Sequence, residues 1–259
     1  MKTMTKTIRN IAYAPEHGFR GEADLYLPAD TADATCLLVI HGGGWRAMDR
    51  FRFNTVCEML AQDGYAALNA NYRLTGDDPW PACGDDCVRA AQFLLAGGHP
   101  AMAPLDRRRI VVLGASAGGH LALMTGLQLP PERVAGIVDI AGPADLTTFW
   151  DVHGPERFGH LFGTPHATPA MLEAASPVTY VTETAPPLLC VHSGNDRLVP
   201  LSQSELIAEA YAEHGRSCEI HEYPGEGQAH GIWANETPSP PLLPHIRDRI
   251  NTFIRSVTA

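Results

Sequence analysis

An apolar run interrupted by small residues constrains the fold of this chain more than any other feature. Residues 110–113 are Ile-Val-Val-Leu, which lack polar alternation and are typical of a strand buried in a parallel sheet. The segment Gly-Ala-Ser-Ala-Gly follows at 114–118, and Leu-Ala-Leu-Met at 121–124 continues as a good helix former. The pattern predicts a strand, a sharp turn and a helix, with Ser116 at the apex of the turn.

Such a turn brings the strand and the helix close together on both sides of Ser116. The positions two residues away must lack bulk, and Gly114 and Gly118 meet that requirement. Ser116 is then held at the carboxyl edge of the sheet, beside a helix N-terminus whose N–H groups favour negative charge. This arrangement is a G-x-S-x-G nucleophile elbow. A glycine-rich loop without a catalytic role can carry the same five letters, but the flanking strand and helix favour the elbow.

Strand-like and helix-like segments alternate through the rest of the chain. Apolar or alternating segments predict strands at 22–27, 36–40, 65–72, 134–140, 188–192 and 218–223. We expect the first of these to be antiparallel and to lie at the sheet edge. Helical spacing predicts helices at 53–61, 85–95, 202–214 and 243–257, the third with Ser202 and Glu205 in a capping box. The alternation predicts the α/β fold class, with a mostly parallel sheet covered on both faces.

The length and charge of the chain limit its organisation and its partners. With 259 residues we expect a single domain over 1–259, and the Pro- and Gly-interrupted segment 142–187 is the candidate for a small lid. A net charge of −10 disfavours nucleic-acid and anionic-membrane partners. Because no apolar segment approaches the length of a membrane span or forms a signal peptide, we expect a cytoplasmic protein.

The six cysteines do not form the pattern of a metal or redox site. Cys36 and Cys190 fall in predicted strands, where a buried thiol behaves as a small hydrophobe. Cys83 and Cys87 are the only close pair, but they are not spaced as C-x-x-C and no second pair completes a four-ligand set. We expect two free thiols on one helix, with a local disulfide as the alternative, and no bound metal.

A serine hydroxyl needs a base and an orienting acid before it becomes a nucleophile at neutral pH. The strand at 188–192 leads into a loop that contains Asp196, and the strand at 218–223 leads into a loop that contains His230. Because the carboxyl ends of parallel strands share one edge of a sheet, both side chains can meet Ser116. We predict these residues as nucleophile, base and acid of a triad. The competing residues that fit this edge less well are Asp139, Asp145, Asp151, His120, His192 and His214.

Acyl transfer also needs N–H donors placed in advance for the oxyanion of the tetrahedral intermediate. The segment His-Gly-Gly-Gly-Trp at 41–45 directly follows a predicted buried strand, and its glycines let the backbone approach the reacting carbon. A flexible glycine linker would not be expected at that place. The candidate oxyanion-hole residues are Gly43, Gly44 and Ala117, and the candidate substrate-binding residues are His41 and Trp45.

These motifs resemble those of the α/β-hydrolase esterases related to hormone-sensitive lipase. The resemblance rests on His-Gly-Gly-Gly-Trp at 41–45, Asn-Tyr-Arg-Leu at 71–74, Gly-Ala-Ser-Ala-Gly-Gly-His at 114–120, Asp196 and His230. Trp45, Ser-Pro-Val-Thr-Tyr at 176–180 and Ser-Gln-Ser at 202–204 are more similar to the feruloyl and acetylxylan esterase branch, the BD-FAE type. Kynurenine formamidases share similar glycine and elbow motifs. Members related to hormone-sensitive lipase carry a long N-terminal cap, so only a small lid is expected here.

The resemblance implies an α/β-hydrolase fold and a serine carboxylesterase for short-chain acyl esters, from acetyl to butyryl and including aryl esters. It implies no cofactor, and the expected partner is a small-molecule ester. An arylformamidase or another small-amide hydrolase needs the same triad and remains an alternative. A non-catalytic ligand-binding protein of the same fold is disfavoured, because a competent residue occupies each catalytic position. The sequence leaves the formation of a homodimer open.

Overall fold

The structure is a computed structural model that describes residues 5–224, 230 and 237–259. These residues form one eight-stranded sheet in the order β1-β2-β4-β3-β5-β6-β7-β8. The strands are β1 (Lys6–Ala12), β2 (Glu22–Leu27), β3 (Thr35–Ile40), β4 (Ala66–Ala70), β5 (Asp106–Ala115), β6 (Val134–Ile140), β7 (Leu188–Ser193) and β8 (Cys218–Tyr223).

The six strands β4, β3, β5, β6, β7 and β8 are parallel to one another. The pairs β1–β2 and β2–β4 are antiparallel. The mostly parallel sheet predicted from the sequence is therefore confirmed. The prediction that residues 22–27 form the edge strand is wrong, because β2 pairs with both β1 and β4 and β1 lies outside it. Most β1 side chains are exposed or half-buried, so that strand lacks the apolar pattern by which strands are recognised in a sequence.

Helices cover both faces of the sheet. They are α1 (Asn54–Gln62), α2 (Ala82–Ala96), α3 (Ala117–Gln128), α4 (Leu146–His153), α5 (Pro155–Phe162), α6 (Pro169–Ala174), α7 (Ser202–Glu213) and α8 (Pro244–Thr258). Alternate residues of β3 point to opposite sides, so that Leu38 packs in the layer with α2, α3 and α7, and Leu37 packs in the layer with α1 and α8. Two apolar layers thus hold the sheet, as expected for an α/β fold.

Two local predictions have different outcomes. The predicted capping box at α7 is wrong, because Leu201 is the N-cap residue, no side chain caps the helix, and Ser202 is already its first helical residue. The free-thiol interpretation of Cys83 and Cys87 is confirmed, since both are free and buried on α2. Burial raises the pKa of the Cys83 thiol to about 12.

Two further expectations concern the chain as a whole. None of the helices in the described part of the chain is both long and apolar enough to cross a membrane. The expectation of a single domain over residues 1–259 stays a prediction.

Candidate active site

The turn at Ser116 is a nucleophile elbow in its detailed geometry. Ser116 joins β5 to α3 with φ 57° and ψ −124°, a conformation that is rare for a residue with a side chain. A Cβ atom on Gly114 would lie 2.0 Å from the carbonyl oxygen of Gly118, and one on Gly118 would lie 2.3 Å from the carbonyl oxygen of Ile40. The two glycines are therefore required by close backbone contacts, as the sequence predicted.

The structure brings the three predicted triad residues together. The hydroxyl of Ser116 lies 2.9 Å from Nε2 of His230, and Nδ1 of His230 donates a hydrogen bond of 2.6 Å to Oδ2 of Asp196. The other carboxylate oxygen of Asp196 accepts from the backbone N–H groups of Leu198 and Val199 at 2.8 and 2.9 Å. The side chain of Asp196 is fully buried. Two hydrogen bonds thus connect a serine on the elbow to a fixed, buried acid.

The surroundings of Asp196 keep it charged. Burial by itself would raise its pKa, but the hydrogen bond and charge of His230, together with the backbone N–H groups of Val199 and Leu198, hold the pKa below its usual value. At neutral pH this carboxylate can therefore orient the imidazole of His230 and stabilise its protonated form.

A second histidine supports the same loop. His192 is buried at the end of β7, with Nε2 donating to the carbonyl of Val199 at 2.9 Å and Nδ1 lying 2.7 Å from the hydroxyl of Ser204. Burial lowers its pKa, which favours the neutral ring. The sequence excluded His192 as the base but did not reveal this role in holding the loop of Asp196.

The glycine loop after β3 lies beside Ser116. Gly43 has φ 115°, and a Cβ atom there would lie 2.1 Å from the carbonyl oxygen of Ala47, so the loop needs glycine at this position. No described residue accepts a hydrogen bond from the backbone N–H of Gly43 or Gly44. Ala117 is the first residue of α3, where the N–H has no partner within the helix. All three candidate oxyanion-hole residues line the cavity that contains Ser116.

The two candidate substrate-binding residues differ in position. His41 is fully buried behind the loop, where its ring stacks on Tyr72 at 4.2 Å between centroids, and it does not line the cavity. The structure thus corrects the expectation that His41 contacts substrate, because its ring is buried behind the glycine loop and does not border the cavity. Burial lowers the pKa of His41 to about 3, so its ring is neutral.

Trp45 borders the cavity although its side chain is almost fully buried, and its orientation is fixed. Its Nε1 donates a hydrogen bond of 3.1 Å to Nδ1 of His120, and Nε2 of His120 donates to the carbonyl of Ala175 at 2.8 Å. Burial lowers the pKa of His120 to about 4, and the neutral ring can then accept from Trp45 and donate to Ala175. The bond from residue 45 to residue 120 is not visible in the sequence.

The cavity at Ser116 has a volume of about 430 Å³. The segment 142–187 supplies much of one wall through Pro143, Phe149, Phe158 and His160. His160 also donates from Nε2 to the carbonyl of Gly44 at 2.8 Å, which connects α5 to the glycine loop. Sequence reasoning placed a lid candidate at 142–187 but did not identify these residues, because nothing in their spacing sets them apart from ordinary helix residues.

A buried acid lies behind the elbow. Asp139 in β6 is fully buried, and its Oδ1 accepts from the backbone N–H of Gly142 at 2.9 Å. A Cβ atom on Gly119 would lie 2.2 Å from the same oxygen. Burial raises the pKa of Asp139 to about 8. The carboxyl thus contacts both the elbow helix and the start of the segment 142–187, and it is not hydrogen-bonded to the histidine of the triad.

The comparison with protein families decides the family of this chain. The BD-FAE family model matches residues 23–211. The chain belongs to the BD-FAE family. The match includes the glycine loop, Ser116 and Asp196.

Relatives of this BD-FAE family member include a peptidase and an esterase. Dipeptidyl aminopeptidase BIII of Pseudoxanthomonas mexicana is 29% identical over 231 residues, which cover 82% of this chain and 31% of that protein. Esterase LipC of Mycobacterium tuberculosis is 29% identical over 229 residues, which cover 78% of this chain and 54% of that protein. The chain therefore spans about a third to a half of the length of these relatives.

A solved structure confirms the fold of this BD-FAE family member. A truncated form of a carbohydrate esterase from gut microbiota superimposes with a TM-score of 0.80, covering 100% of this chain and 98% of that one at 22% identity. The α/β-hydrolase fold is thus confirmed. Over residues 5–224, 230 and 237–259, no group of three or more histidine, cysteine, aspartate or glutamate side chains is arranged to hold a metal.

Proposed function

We propose that this chain is a serine carboxylesterase that hydrolyses short-chain acyl esters through an acyl-enzyme. The observation that carries the proposal is the pair of hydrogen bonds from the Ser116 hydroxyl to His230 and from His230 to Asp196, at 2.9 and 2.6 Å. The names of esterase relatives and the carbohydrate esterase with the same fold support ester hydrolysis. Ser116 is the nucleophile, His230 the general base and then the acid, and Asp196 the residue that orients His230.

The first half of the reaction forms the acyl-enzyme. Nε2 of His230 takes the hydroxyl proton while Oγ of Ser116 attacks the ester carbonyl, and the carbonyl electron pair moves onto oxygen. The backbone N–H groups of Gly43, Gly44 and Ala117 stabilise that oxyanion, since they line the cavity next to Ser116. Protonated His230 then gives its proton to the leaving alcohol as the tetrahedral intermediate collapses.

The second half returns the enzyme to its starting state. A water molecule loses its proton to His230 and attacks the acyl carbon, and the carboxylic acid leaves as Ser116 regains its proton. Asp196 stays ionised throughout and stabilises the imidazolium of His230, which agrees with its lowered pKa.

Covalent labelling tests the nucleophile directly. A fluorophosphonate probe reacts only with an activated serine, so wild-type protein should be labelled at Ser116 and Ser116→Ala should not be. Turnover of p-nitrophenyl acetate should fall by at least about three orders of magnitude in Ser116→Ala. The matched control is Ser256→Ala, because Ser256 lies on α8 and its hydroxyl donates to the carbonyl of Phe253 in the same helix. Labelling or turnover that survives in Ser116→Ala would overturn the assignment.

The size of the acyl group follows from the walls of the cavity. Trp45, Phe149 and Phe158 enclose the space near Ser116, and Trp45 is held by its bond to His120. A deep apolar pocket would gain about 0.8 kcal/mol for each buried CH₂, whereas a short pocket gains nothing once it is filled. We expect kcat/KM for p-nitrophenyl acetate or butyrate to exceed that for the octanoate. A rise toward long chains would contradict the short pocket.

The hydrolysis of a small amide is a second candidate, favoured by the similarity to a dipeptidyl aminopeptidase. Amide cleavage needs the same triad and differs in the proton that His230 must deliver to a poorer leaving group. N-formylkynurenine and a dipeptide p-nitroanilide should therefore be assayed beside the esters. If either compound is hydrolysed with a higher kcat/KM than every ester, amide hydrolysis replaces ester hydrolysis as the proposed function.

A further inference from the structure

The charged side chains of the active-site cavity have one sign, although the chain carries a net charge of −10. Among the described residues that line the cavity, the ionisable side chains are Arg46, Arg52, His160 and His230, and none is an aspartate or glutamate. Asp196 lies behind His230 and is not part of the wall. A wall of this composition favours a ligand with negative charge.

Arg46 differs from most arginines of the protein in its contacts. It is exposed, and its guanidinium makes no ion pair or hydrogen bond with any described residue, although its backbone N–H donates to the carbonyl of Gly43. Arg197, next to Asp196 in the chain, shares this property. Apart from Arg46, Arg197 and Arg255, every arginine whose side chain the structure describes makes an ion pair or a hydrogen bond. Arg46 and Arg197 lie at the edge of the sheet that carries Ser116, whereas Arg255 lies on α8.

Arg52 also lines the cavity, but its Nη1 donates to the carbonyls of Thr237 and Pro238 at 2.8 and 3.3 Å. Its guanidinium therefore has a structural contact, and the inference rests on Arg46. The planar guanidinium of Arg46 presents paired N–H donors that match the geometry of a carboxylate. Arg46 follows Trp45 directly, so it lies close to the glycine loop, and it lines the same cavity as Ser116.

We propose that Arg46 is a specificity-determining residue that binds an anionic group of the substrate, a carboxylate a few atoms from the scissile carbonyl. The substrate class is thus the monoesters of small dicarboxylic acids or the O-acyl derivatives of hydroxy acids, both of which keep a free carboxylate. The inference rests on the proposed ester hydrolysis for its kinetic readout. It requires no change in the chemistry at Ser116, because Arg46 interacts with the remote end of the substrate.

Matched pairs of esters separate charge from size. For a carboxylate on the acyl side, ethyl hydrogen succinate is compared with ethyl levulinate, in which a methyl ketone replaces the carboxylate. For a carboxylate on the alcohol side, 4-acetoxybenzoate is compared with 4-acetoxyacetophenone. The measured quantity is the ratio of kcat/KM for the anionic ester to that for its neutral partner. Hydrolysis is monitored by pH-stat titration of the acid released. The pair of esters with the larger ratio identifies whether the acyl side or the alcohol side of the substrate carries the charge.

The expected ratio in wild type is about fivefold in favour of one anionic ester, as an accessible charge pair allows. Arg46→Gln should reduce that ratio to about 1, and Arg46→Lys should keep part of it, because lysine retains the charge but not the paired donors. Raising the salt from about 0.05 to 0.5 M should lower the wild-type ratio, since screening shortens the range of the attraction. Arg109→Gln is the control, because Arg109 is exposed near the opposite end of β5.

Binding is measured as well, so that the test of charge does not depend on turnover. In the Ser116→Ala background, the Kd of the anionic ester should be about fivefold lower than that of its neutral partner, and adding Arg46→Gln should remove the difference. Equal Kd values, or a ratio that Arg46→Gln leaves unchanged, would overturn the inference while the esterase proposal stands. If wild type hydrolyses no ester but still binds the anionic one through Arg46, the esterase proposal fails and the anion site remains.

Discussion

The edge of the sheet and the segment 142–187 contribute to the same cavity by different means. At the edge, backbone atoms approach so closely that Gly114 and Gly118 admit no side chain, and Asp196 and His230 come after the ends of β7 and β8 in the chain. In the segment 142–187, short helices present Phe149 and Phe158 to the cavity, and their positions depend on side-chain packing. We therefore expect the chemistry to depend on the first region and the substrate shape on the second.

Asp196→Asn tests the edge with the largest expected effect. The asparagine keeps the shape of the side chain but cannot hold His230 in the tautomer that accepts the serine proton, so kcat should fall by about 10⁴. The preference among acyl chain lengths should stay as in wild type, because the wall formed by 142–187 is unchanged. The measurement is the kcat of a p-nitrophenyl ester series. A decrease in kcat of less than tenfold would indicate that another acidic residue orients His230.

Gly118→Ala tests the backbone contacts of the same region. The new Cβ atom would lie 2.3 Å from the carbonyl oxygen of Ile40 and 2.5 Å from that of His41, so backbone must move. We expect a loss of about 3 kcal/mol or more in the free energy of unfolding. Denaturant unfolding measures it. Gly76→Ala is the control, because a Cβ atom there meets nothing within 4 Å, and similar losses in both variants would refute the steric argument.

Asp139→Asn tests the contact between the two regions. The folded-state pKa of Asp139 is about 8, against an ordinary value of 3.8, so the folded protein binds the proton more tightly than the unfolded chain. This contribution to stability is complete below pH 3.8 and is lost as pH rises toward 8. The free energy of unfolding should therefore fall by about 1.4 kcal/mol per pH unit over this range. Asp139→Asn should abolish this slope, because asparagine does not titrate.

Unfolding of wild type and Asp139→Asn between pH 4.5 and 8 measures this difference. Asp145→Asn is the control, since Asp145 caps α4 through the N–H of Thr147 and is not fully buried. Identical pH dependence in wild type and Asp139→Asn would mean that Asp139 is ionised in the folded protein.

Phe158→Ala tests the segment 142–187 and has the smallest expected effect. Removing the ring enlarges the cavity, so kcat/KM for p-nitrophenyl octanoate should rise severalfold relative to the acetate, on the order of 1 kcal/mol. Chain-length series of both proteins measure the change. Phe162→Ala, on the same helix but outside this cavity, is the matched control. A loss of kcat for acetate comparable to that of Asp196→Asn would erase the distinction between the two regions.

The sequence by itself determined the elbow, the mostly parallel sheet and the proximity of the three residues predicted as a triad. Glycines that must lack side chains, buried strands and the loops that follow them are local patterns, and parallel strands bring their carboxyl ends to one edge. Ser116, Asp196 and His230 could therefore be placed together without coordinates.

Only the tertiary structure decided which side chains face the cavity and which lie behind it. His41 is buried against Tyr72, Trp45 is oriented by His120, and Phe158 reaches the cavity from α5. It also decided that β1, with few buried side chains, forms the sheet edge. These outcomes depend on contacts between residues far apart in the chain, and local periodicity carries no information about such contacts because packing of the whole core selects them.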